Sequence, residues 1–341
     1  MATIIWTVII FCLIIAIHEF GHFIVAKLSK ITVFEFAIGM GPKIFGFEKN
    51  GTKYTLRLLP IGGFCSMDGE DGGSDNKNAF CNKSAWKRFL VLVAGAAMNI
   101  LLGFVIFVCL FSTAPAQPSN IVGEVVAGSA FSEAGILPGD KIIKMESENF
   151  SSSIKTYNDI TFFIYQNQGA SAQITVKRGG ENITFDVTPK NHAESGKPIF
   201  GFRPGVFEKN LLSTLYLAFY QSLFVVKIVL ISFWQLITGT VPLSAMSGPV
   251  GIISEINAAA KTSVFSVLNL TALISINLGI VNLFPLPALD GGRILFLIIE
   301  KIRRKPLEAK YEGMIHLIGF AILIGLALIV TFSDISKLFG A

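Results

Sequence analysis

One short motif limits what this chain can fold into more than any other feature. The pentapeptide His18-Glu-Phe-Gly-His22 lies inside an apolar run, residues 4–26, that contains no other charged group. Imidazoles and carboxylates are costly to place in hydrocarbon, so ionisable residues inside a membrane segment are functional candidates by default. The motif therefore predicts a reactive polar centre within a bilayer.

The composition agrees with a membrane protein. Of the 341 residues, 52% are hydrophobic and 15% are charged, whereas soluble domains contain about 25% charged residues. Four apolar runs can cross a hydrocarbon core of about 30 Å, and they cover residues 4–26, 89–111, about 270–299 and 316–332. The net charge of +5 suits a membrane surface and gives no reason to expect a nucleic-acid partner.

Basic residues predict the orientation of these runs. The loops at 27–88 and 300–313 are rich in Lys and Arg, and short loops of this kind stay in the cytosol. Four spans place both loops there and put both termini and region 112–269 outside. A fifth apolar run, 212–236, would break this arrangement if it crossed the membrane, so we expect it to be a surface-lying amphipathic helix.

Two regions between the spans have folding signals of their own. Asn50-Gly51 separates the alternating runs 43–49 and 52–58, which predicts a β-hairpin at the cytosolic face. Residues 121–190 combine short β runs with the Gly- and Pro-containing segment 128–143. This second region resembles a PDZ domain of the kind found in bacterial membrane-associated proteases.

The third apolar run is interrupted by the sequence Asn282-Leu-Phe-Pro-Leu-Pro-Ala-Leu-Asp-Gly-Gly292. Pro285 and Pro287 lack the N–H groups that a continuous helix requires. Irregular backbone at membrane depth is tolerated where it is buried in protein or lines a watery cavity. We therefore expect this segment to lie close to the reactive centre.

The spacing of the polar residues predicts a zinc site. Residues four apart lie on one helix face, so His18 and His22 can share one Zn²⁺. Glu19 stands beside them, where it can accept a proton from water. A catalytic zinc needs about three protein ligands, and Asp290 lies at a similar depth near the cytosolic end of its run. Three weaker rivals for the third position are Glu300, His316 and His192.

Simpler interpretations exist for some of these residues. Asp290 alone also fits a helix N-cap or a partner for Arg293. The sequence Gly95-Ala-Ala-Met-Asn99 in the second run fits a close-packing helix face. The Asn99 side chain fits either a hydrogen bond to a neighbouring helix or one to the backbone of the reactive centre.

Together these motifs resemble the site-2 protease family of intramembrane zinc metalloproteases, and within it the bacterial RseP/RasP-like members. The resemblance covers essentially the whole chain, and a single PDZ-like region departs from members that contain two. It rests on His18-Glu-x-x-His22, Gly95-x-x-x-Asn99, Leu289-Asp-Gly-Gly292, Pro60-Ile-Gly-Gly63 and Ser247-Gly-Pro-Val250. It implies a zinc-dependent endopeptidase that hydrolyses peptide bonds in or near transmembrane segments of membrane-anchored proteins. Anti-sigma factors and remnant signal peptides are the implied substrate types, cleaved by regulated intramembrane proteolysis.

The expected site contains one Zn²⁺ per chain, held by His18, His22 and Asp290. Glu19 is expected to act as the general base. A helical substrate must unwind locally, and the 43–58 hairpin offers an edge for strand addition. The residues expected to bind substrate are Gly62, Gly63, Asn282, Pro285 and Pro287, and those expected to support the site are Gly95 and Asn99.

The expected fold is a polytopic α-helical membrane protein with four transmembrane helices, a membrane-associated β-hairpin region and one extracytoplasmic PDZ-like α+β domain. It is expected in a bacterial cytoplasmic membrane, with the active site toward the cytosol. Its partners are expected to be the lipid bilayer and transmembrane protein or peptide substrates. The expected parts are residues 1–112 (two spans and the hairpin), 113–120 (linker), 121–190 (PDZ-like domain), 191–269 (connector with the amphipathic helix) and 270–341 (two spans).

Two other functional classes fit the sequence less well. A non-proteolytic zinc scaffold, which recruits partners through its PDZ-like domain, would be expected to lose Glu19 or Asp290, and both are present. A metal transporter would need several ionisable groups along a path, and only scattered candidates occur outside the site. The sequence therefore favours a protease.

Overall fold

The computed structural model describes residues 2–70, 72–148, 150–191, 198–242, 244, 246–305 and 309–338. The α-helices in these residues are α1 (Ala2–Leu28), α2 (Ala85–Thr113), α3 (Ala130–Ala134), α4 (Tyr157–Asn167), α5 (Leu211–Ile237), α6 (Pro249–Thr262), α7 (Val264–Asn282), α8 (Asp290–Arg303) and α9 (Ala309–Leu338). The strands are β1 (Val33–Lys49), β2 (Thr52–Met67), β3 (Pro118–Val125), β4 (Lys141–Glu146), β5 (Ser151–Ser153), β6 (Ala172–Arg178), β7 (Glu181–Val187), β8 (Lys190–Asn191), β9 (Pro198–Ile199) and β10 (Phe202–Val206).

The chain divides into two compact units. The first unit comprises Met1–Ile106 and Val225–Ala341, and the second comprises Phe107–Phe224. Within the described residues, five helices are long and apolar enough to cross a membrane: α1, α2, α5, α7 and α9. α5 covers the run 212–236 without a break. Its length and composition make it a candidate span like the other four. The count of four spans stays a prediction.

The interruption predicted within the third apolar run, about 270–299, is present, because the structure has two helices there. α7 begins earlier than expected, at Val264, and ends at Asn282, and α8 begins at Asp290. Pro285 and Pro287 stand between the two helices, where their missing N–H groups end the helical hydrogen bonding. Of the two helices, only α7 is among the candidate spans of the described chain.

The hairpin expected around Asn50-Gly51 is present in the first unit. Both turn residues have positive φ, 51° and 71°, as an Asn-Gly turn requires. Its strands, β1 and β2, extend well beyond the runs 43–49 and 52–58 that predicted them. The added length comes from the residues that flank the hairpin, because 35–38 pair with 63–66.

The pairing in this sheet defines two outer strands. Residues 35–38 of β1 pair on one side with 63–66 and on the other side with 53–56. Residues 43–49 pair with 52–57. Among the described residues, the outer strands of the sheet are therefore 43–49 at one side and 63–66 at the other.

The second unit is built on an antiparallel sheet. Its strand order is β10-β3-β4-β6-β7, with β5 paired to β4. The sheet continues beyond the predicted domain end at residue 190, because β10 pairs with β3. Side chains from the sheet and from α3 and α4 fill its core, and the largest fully buried ones are Phe131, Phe163, Phe200, Ile136, Ile142, Met145, Ile154, Ile160 and Ile174.

Candidate metal centre

The three predicted metal ligands come together in the first unit. The Nε2 atoms of His18 and His22 are 3.2 Å apart, and Asp290 Oδ2 lies 3.2 Å from the former and 3.4 Å from the latter. Both histidines are buried, with exposed fractions of 8% and 7%. Within the described part of the chain, this is the group of His, Cys, Asp and Glu side chains that could hold a metal ion.

The regular geometry of α1 places the two histidines. They lie one turn apart on the same helix face. Gly21, between them, allows α2 to approach, since a Cβ there would lie 2.4 Å from the Ala94 oxygen. Gly95 on α2 is equally crowded, because a Cβ there would lie 2.4 Å from His22 Nε2. The close-packing face predicted from Gly95 therefore lies directly against the site.

Asp290 reaches the site by a different route. It is the first residue of α8 and not its N-cap, which is Leu289. The irregular segment 283–289 precedes it. A Cβ at Gly291 would lie 2.1 Å from the Phe284 oxygen. A glycine is therefore required for α8 to begin in such close contact with this segment.

Hydrogen bonds orient both imidazoles. His22 Nδ1 donates to the Val91 carbonyl oxygen at 2.8 Å, which leaves the Nε2 lone pair available for a metal. His18 Nδ1 lies 3.4 Å from the Asn99 amide nitrogen, while Asn99 Oδ1 is buried and has no hydrogen-bond partner in the described part of the chain. Amide orientation is assigned from the hydrogen-bond network, and turning this amide over lets Oδ1 accept from His18 Nδ1–H. Both histidines then present Nε2.

Glu19 lies beside the ligands on a cavity of about 410 Å³. The Cys65 backbone N–H faces its carboxylate, and a Cβ at Gly63 would lie 3.2 Å from Glu19 Cγ. Other residues of the outer strand 63–66 line the cavity together with Asp290. One outer strand of the β1–β2 sheet thus borders the reactive centre. The sequence predicts Gly62 and Gly63 at the site but places the strand edge in the 43–58 hairpin.

The structure does not gather the predicted substrate-binding residues around this cavity. Gly63 contacts Glu19, but Pro287 packs against Gly319 of α9. The described residues that line the cavity include none of the predicted positions Gly62, Gly63, Asn282, Pro285 and Pro287. Their part in substrate binding stays a prediction.

Sequence analysis also missed an ion pair at the cavity. Arg293 pairs with Glu70, and both side chains line the metal-site cavity and a neighbouring cavity of about 370 Å³. Arg293 follows Asp290 by three residues on α8, which made it a candidate partner for that carboxylate. Nothing in the polar segment 68–79 distinguished Glu70 from its neighbours.

The rival ligands have other contacts. Glu300 pairs with Arg88 at 2.8 Å, and His316 accepts a hydrogen bond from the Ala288 backbone N–H. Neither belongs to the group of candidate ligands. His192 lies outside the described residues.

The donor set fits zinc. Two imidazole nitrogens and a carboxylate oxygen are ligands that Zn²⁺ accepts, and three protein ligands leave a position for water or substrate. Asp290 Oδ2 is buried, and no hydrogen-bond partner satisfies it among the described residues. Since an uncompensated buried carboxylate oxygen is costly, a cation bound between these three ligands would compensate it.

Comparison with known proteins places the chain among zinc metalloproteases. The family described as Peptidase family M50 matches residues 6–326. The regulator of sigma-W protease RasP of Bacillus subtilis is 32% identical, with 99% of each chain covered. Zinc metalloprotease RasP of Geobacillus kaustophilus is 31% identical, also with 99% of each covered. A Clostridium perfringens protein with zinc metalloprotease in its name is 38% identical, covering 97% of this chain and 98% of its own.

Proposed function

Because this chain belongs to peptidase family M50 and is a zinc metalloprotease, we propose that it hydrolyses peptide bonds in or near transmembrane segments of membrane-anchored proteins. The main support is that His18, His22 and Asp290 converge beside an acid, Glu19, and that α1 is apolar enough to span a membrane. A reactive centre in such surroundings favours a substrate that already lies in the bilayer.

We assign the proton transfers to Glu19. The two histidines and Asp290 would hold zinc, which would supply Lewis-acid activation of water and of the scissile carbonyl. The Glu19 carboxylate accepts the proton of the attacking water and passes it to the leaving nitrogen. The Glu19 carboxylate faces the Cys65 N–H at the cavity, and the Val91 oxygen keeps His22 in the tautomer that binds metal through Nε2.

We assign the binding of the substrate backbone to the outer strand 63–66. A transmembrane helix must unwind before its carbonyls can be attacked, and its freed N–H and C=O groups then need partners. Strand addition supplies them. This strand pairs with 35–38 on one side and borders the cavity of Glu19 on the other. It replaces the expected edge in the 43–58 hairpin, because 43–49 is the outer strand on the opposite side.

We propose that the active site faces the cytosolic half of a bacterial cytoplasmic membrane, with α1, α2, α7 and α9 as spans and α5 at the surface. The basic loops at 27–88 and 300–313 support this orientation. Contact of the β1–β2 sheet with lipid is supported by its exposed apolar side chains. These are Phe34, Met40, Ile44, Phe45, Phe47, Leu56, Leu58 and Leu59.

We propose that the second unit is a PDZ-like domain on the extracytoplasmic side, where it excludes substrates whose external part has not been trimmed. Its antiparallel sheet with α3 and α4 supports this assignment. The Bacillus subtilis relative is named as a regulator of sigma-W, which supports anti-sigma factors as one substrate type. Remnant signal peptides are the second type.

The test is cleavage of a single-pass helical substrate, already shortened on its extracytoplasmic side, by the purified protein in liposomes. Glu19→Gln is expected to keep zinc and to cleave about 10²–10⁴-fold more slowly, which is the rate factor that a general base usually contributes. His18→Ala is expected to lose both zinc and cleavage. Glu181→Gln, an exposed position in the second unit, is the matched control and should behave as wild type.

Three outcomes would contradict this proposal. Equal cleavage by wild type and Glu19→Gln would remove Glu19 from its role. Faster cleavage of an unstructured soluble peptide than of the helical substrate would remove the membrane substrate class. Bound zinc without cleavage of anchored anti-sigma factors or signal peptides would favour the scaffold alternative.

A further inference from the structure

His316, a rival ligand in the sequence, contacts the segment that precedes Asp290. Its Nδ1 accepts a hydrogen bond from the Ala288 N–H, with 2.8 Å between the two nitrogens. Ala288 has a φ of 74°, in the left-handed region that residues other than glycine adopt infrequently. Such a conformation persists where surrounding contacts hold it in place.

A second contact from α9 holds the same segment. Gly319 follows His316 by three residues, and a Cβ at Gly319 would lie 2.3 Å from Pro287 Cβ. Residues three apart are neighbours on a helix surface. One face of α9 therefore packs closely on Pro287 and hydrogen-bonds Ala288.

The ring of His316 is itself oriented by its neighbours. The Phe296 ring meets it edge-on, with 5.4 Å between the ring centroids. Because the Ala288 N–H donates to Nδ1, that nitrogen is the acceptor and the ring proton of a neutral imidazole is on Nε2. A Glu312 carboxylate oxygen 3.9 Å from Nε2 lies on the side of the ring where the proton stands.

We propose that His316 is a positioning residue for the metal ligand Asp290 and that it acts through the Ala288 backbone. This inference rests on the proposed function, because it takes Asp290 as a zinc ligand. Ala288 precedes Asp290 by two residues, so a change in its backbone angles moves the carboxylate relative to the histidine nitrogens 3.2 and 3.4 Å away. Without an acceptor at Nδ1, the segment relaxes toward an ordinary conformation and the three ligand atoms separate.

The experiment compares His316→Asn with His316→Gln. The Asn side chain places an oxygen near the position of Nδ1, where it can accept from Ala288 N–H, whereas Gln places it near Nε2. One measurement is the zinc dissociation constant, from competition with a chromophoric chelator. The other is amide hydrogen exchange of residues 283–290 in the metal-free protein, which does not depend on activity.

We expect His316→Asn to bind zinc within about threefold of wild type, and His316→Gln to bind it about 10–100-fold more weakly, as loss of an outer-shell partner does. Exchange in residues 283–290 should accelerate in His316→Gln alone. Gly325→Ala is the control on α9, since a Cβ there meets nothing within 4 Å. Exchange in α1 and α2, read in the same experiment, reports that each variant is folded.

Asp290→Asn separates this inference from the proposed function. If Asp290→Asn binds zinc as tightly as wild type, the ligand assignment itself fails. If it loses zinc while His316→Gln keeps wild-type affinity and exchange, only the positioning role of His316 is overturned. Equal losses in His316→Asn and His316→Gln would also overturn it, because the cause would then be ring packing and not the acceptor at Nδ1.

Discussion

Two aspartates, the buried Asp140 and the half-buried Asp290, follow similar local sequences, and the fold uses them differently. Asp140 follows Leu137-Pro-Gly in the second unit, and Asp290 follows Leu286-Pro-Ala-Leu in the first. Asp140 accepts hydrogen bonds from Arg178 Nε and Nη2, each at 2.7 Å, and from the Leu137 N–H at 2.9 Å. Asp290 Oδ2 has no hydrogen-bond partner among the described residues and faces two imidazole nitrogens.

The difference supports a structural role for Asp140 and the proposed metal-ligand role for Asp290. The Arg178 guanidinium holds the pKa of Asp140 below its ordinary value, so the protein itself compensates this buried charge. A carboxylate oxygen buried without such donors is costly, and a zinc ion bound as we propose would compensate that of Asp290. The two local sequences look alike. The side chains that face each aspartate, Arg178 for Asp140 and two histidines for Asp290, indicate what each carboxylate does.

Replacing each aspartate by asparagine should have the largest and most contrasting effects. Asp290→Asn should weaken zinc binding by more than the roughly 10–100-fold that an outer-shell change costs, with little loss of thermal stability in the metal-free protein. Asp140→Asn should lower the melting temperature of the second unit and leave zinc affinity unchanged. Chelator competition and thermal unfolding in detergent measure the two quantities. A loss of zinc affinity in Asp140→Asn would contradict the purely structural role of Asp140.

Gly291→Ala should have the next largest effect. Its Cβ would lie 2.1 Å from the Phe284 oxygen, so the start of α8 must shift, and a ligand displaced by about 1 Å costs on the order of 100-fold in activity. Zinc content and substrate cleavage measure this loss. Gly325→Ala, with open space around its Cβ, is the control. Wild-type activity in Gly291→Ala would show that Asp290 does not need this backbone.

Arg178→Gln should destabilise the second unit in a pH-dependent way. The lowered pKa of Asp140 means that the ion pair stabilises the fold above the ordinary aspartate pKa of about 3.9. This contribution is lost as the pH falls through the lowered pKa. The difference in melting temperature between wild type and Arg178→Gln should therefore be full at pH 7 and shrink below about pH 4. A difference that grows on acidification would contradict this account.

Ala288→Gly should have the smallest effect. It removes a left-handed alanine, which costs about 1–2 kcal/mol, and adds chain entropy to the unfolded state worth about 0.5–1 kcal/mol. We expect the free energy of unfolding to change little or to rise slightly, with zinc affinity retained because the Ala288 N–H remains. Ala97→Gly in the regular helix α2 is the matched change and should destabilise. Equal destabilisation by both would show that Ala288 is not strained.

Local pattern was enough to predict much of the site. His18, Glu19 and His22 depend only on helical periodicity, so the sequence could place them together. The pairing of Asp290 with them follows from comparing depths in the membrane, and the structure brings Asp290 Oδ2 within 3.4 Å of both histidine Nε2 atoms. The outer strand 63–66 could not be predicted, because strand order in a sheet depends on pairings between distant residues.

By itself the sequence determined an apolar α1 with two histidines and an acid on it, a hairpin at Asn50-Gly51, and a break in the helix at Pro285 and Pro287. These features follow from short-range rules, namely helix periodicity, turn conformation and a missing N–H. Only the tertiary structure decided that α8 begins beside the two histidines of α1 and that 63–66 borders Glu19. It also decided that Asp140 pairs with Arg178 while Asp290 faces two imidazole nitrogens, because burial and partners arise from contacts between residues far apart in the chain.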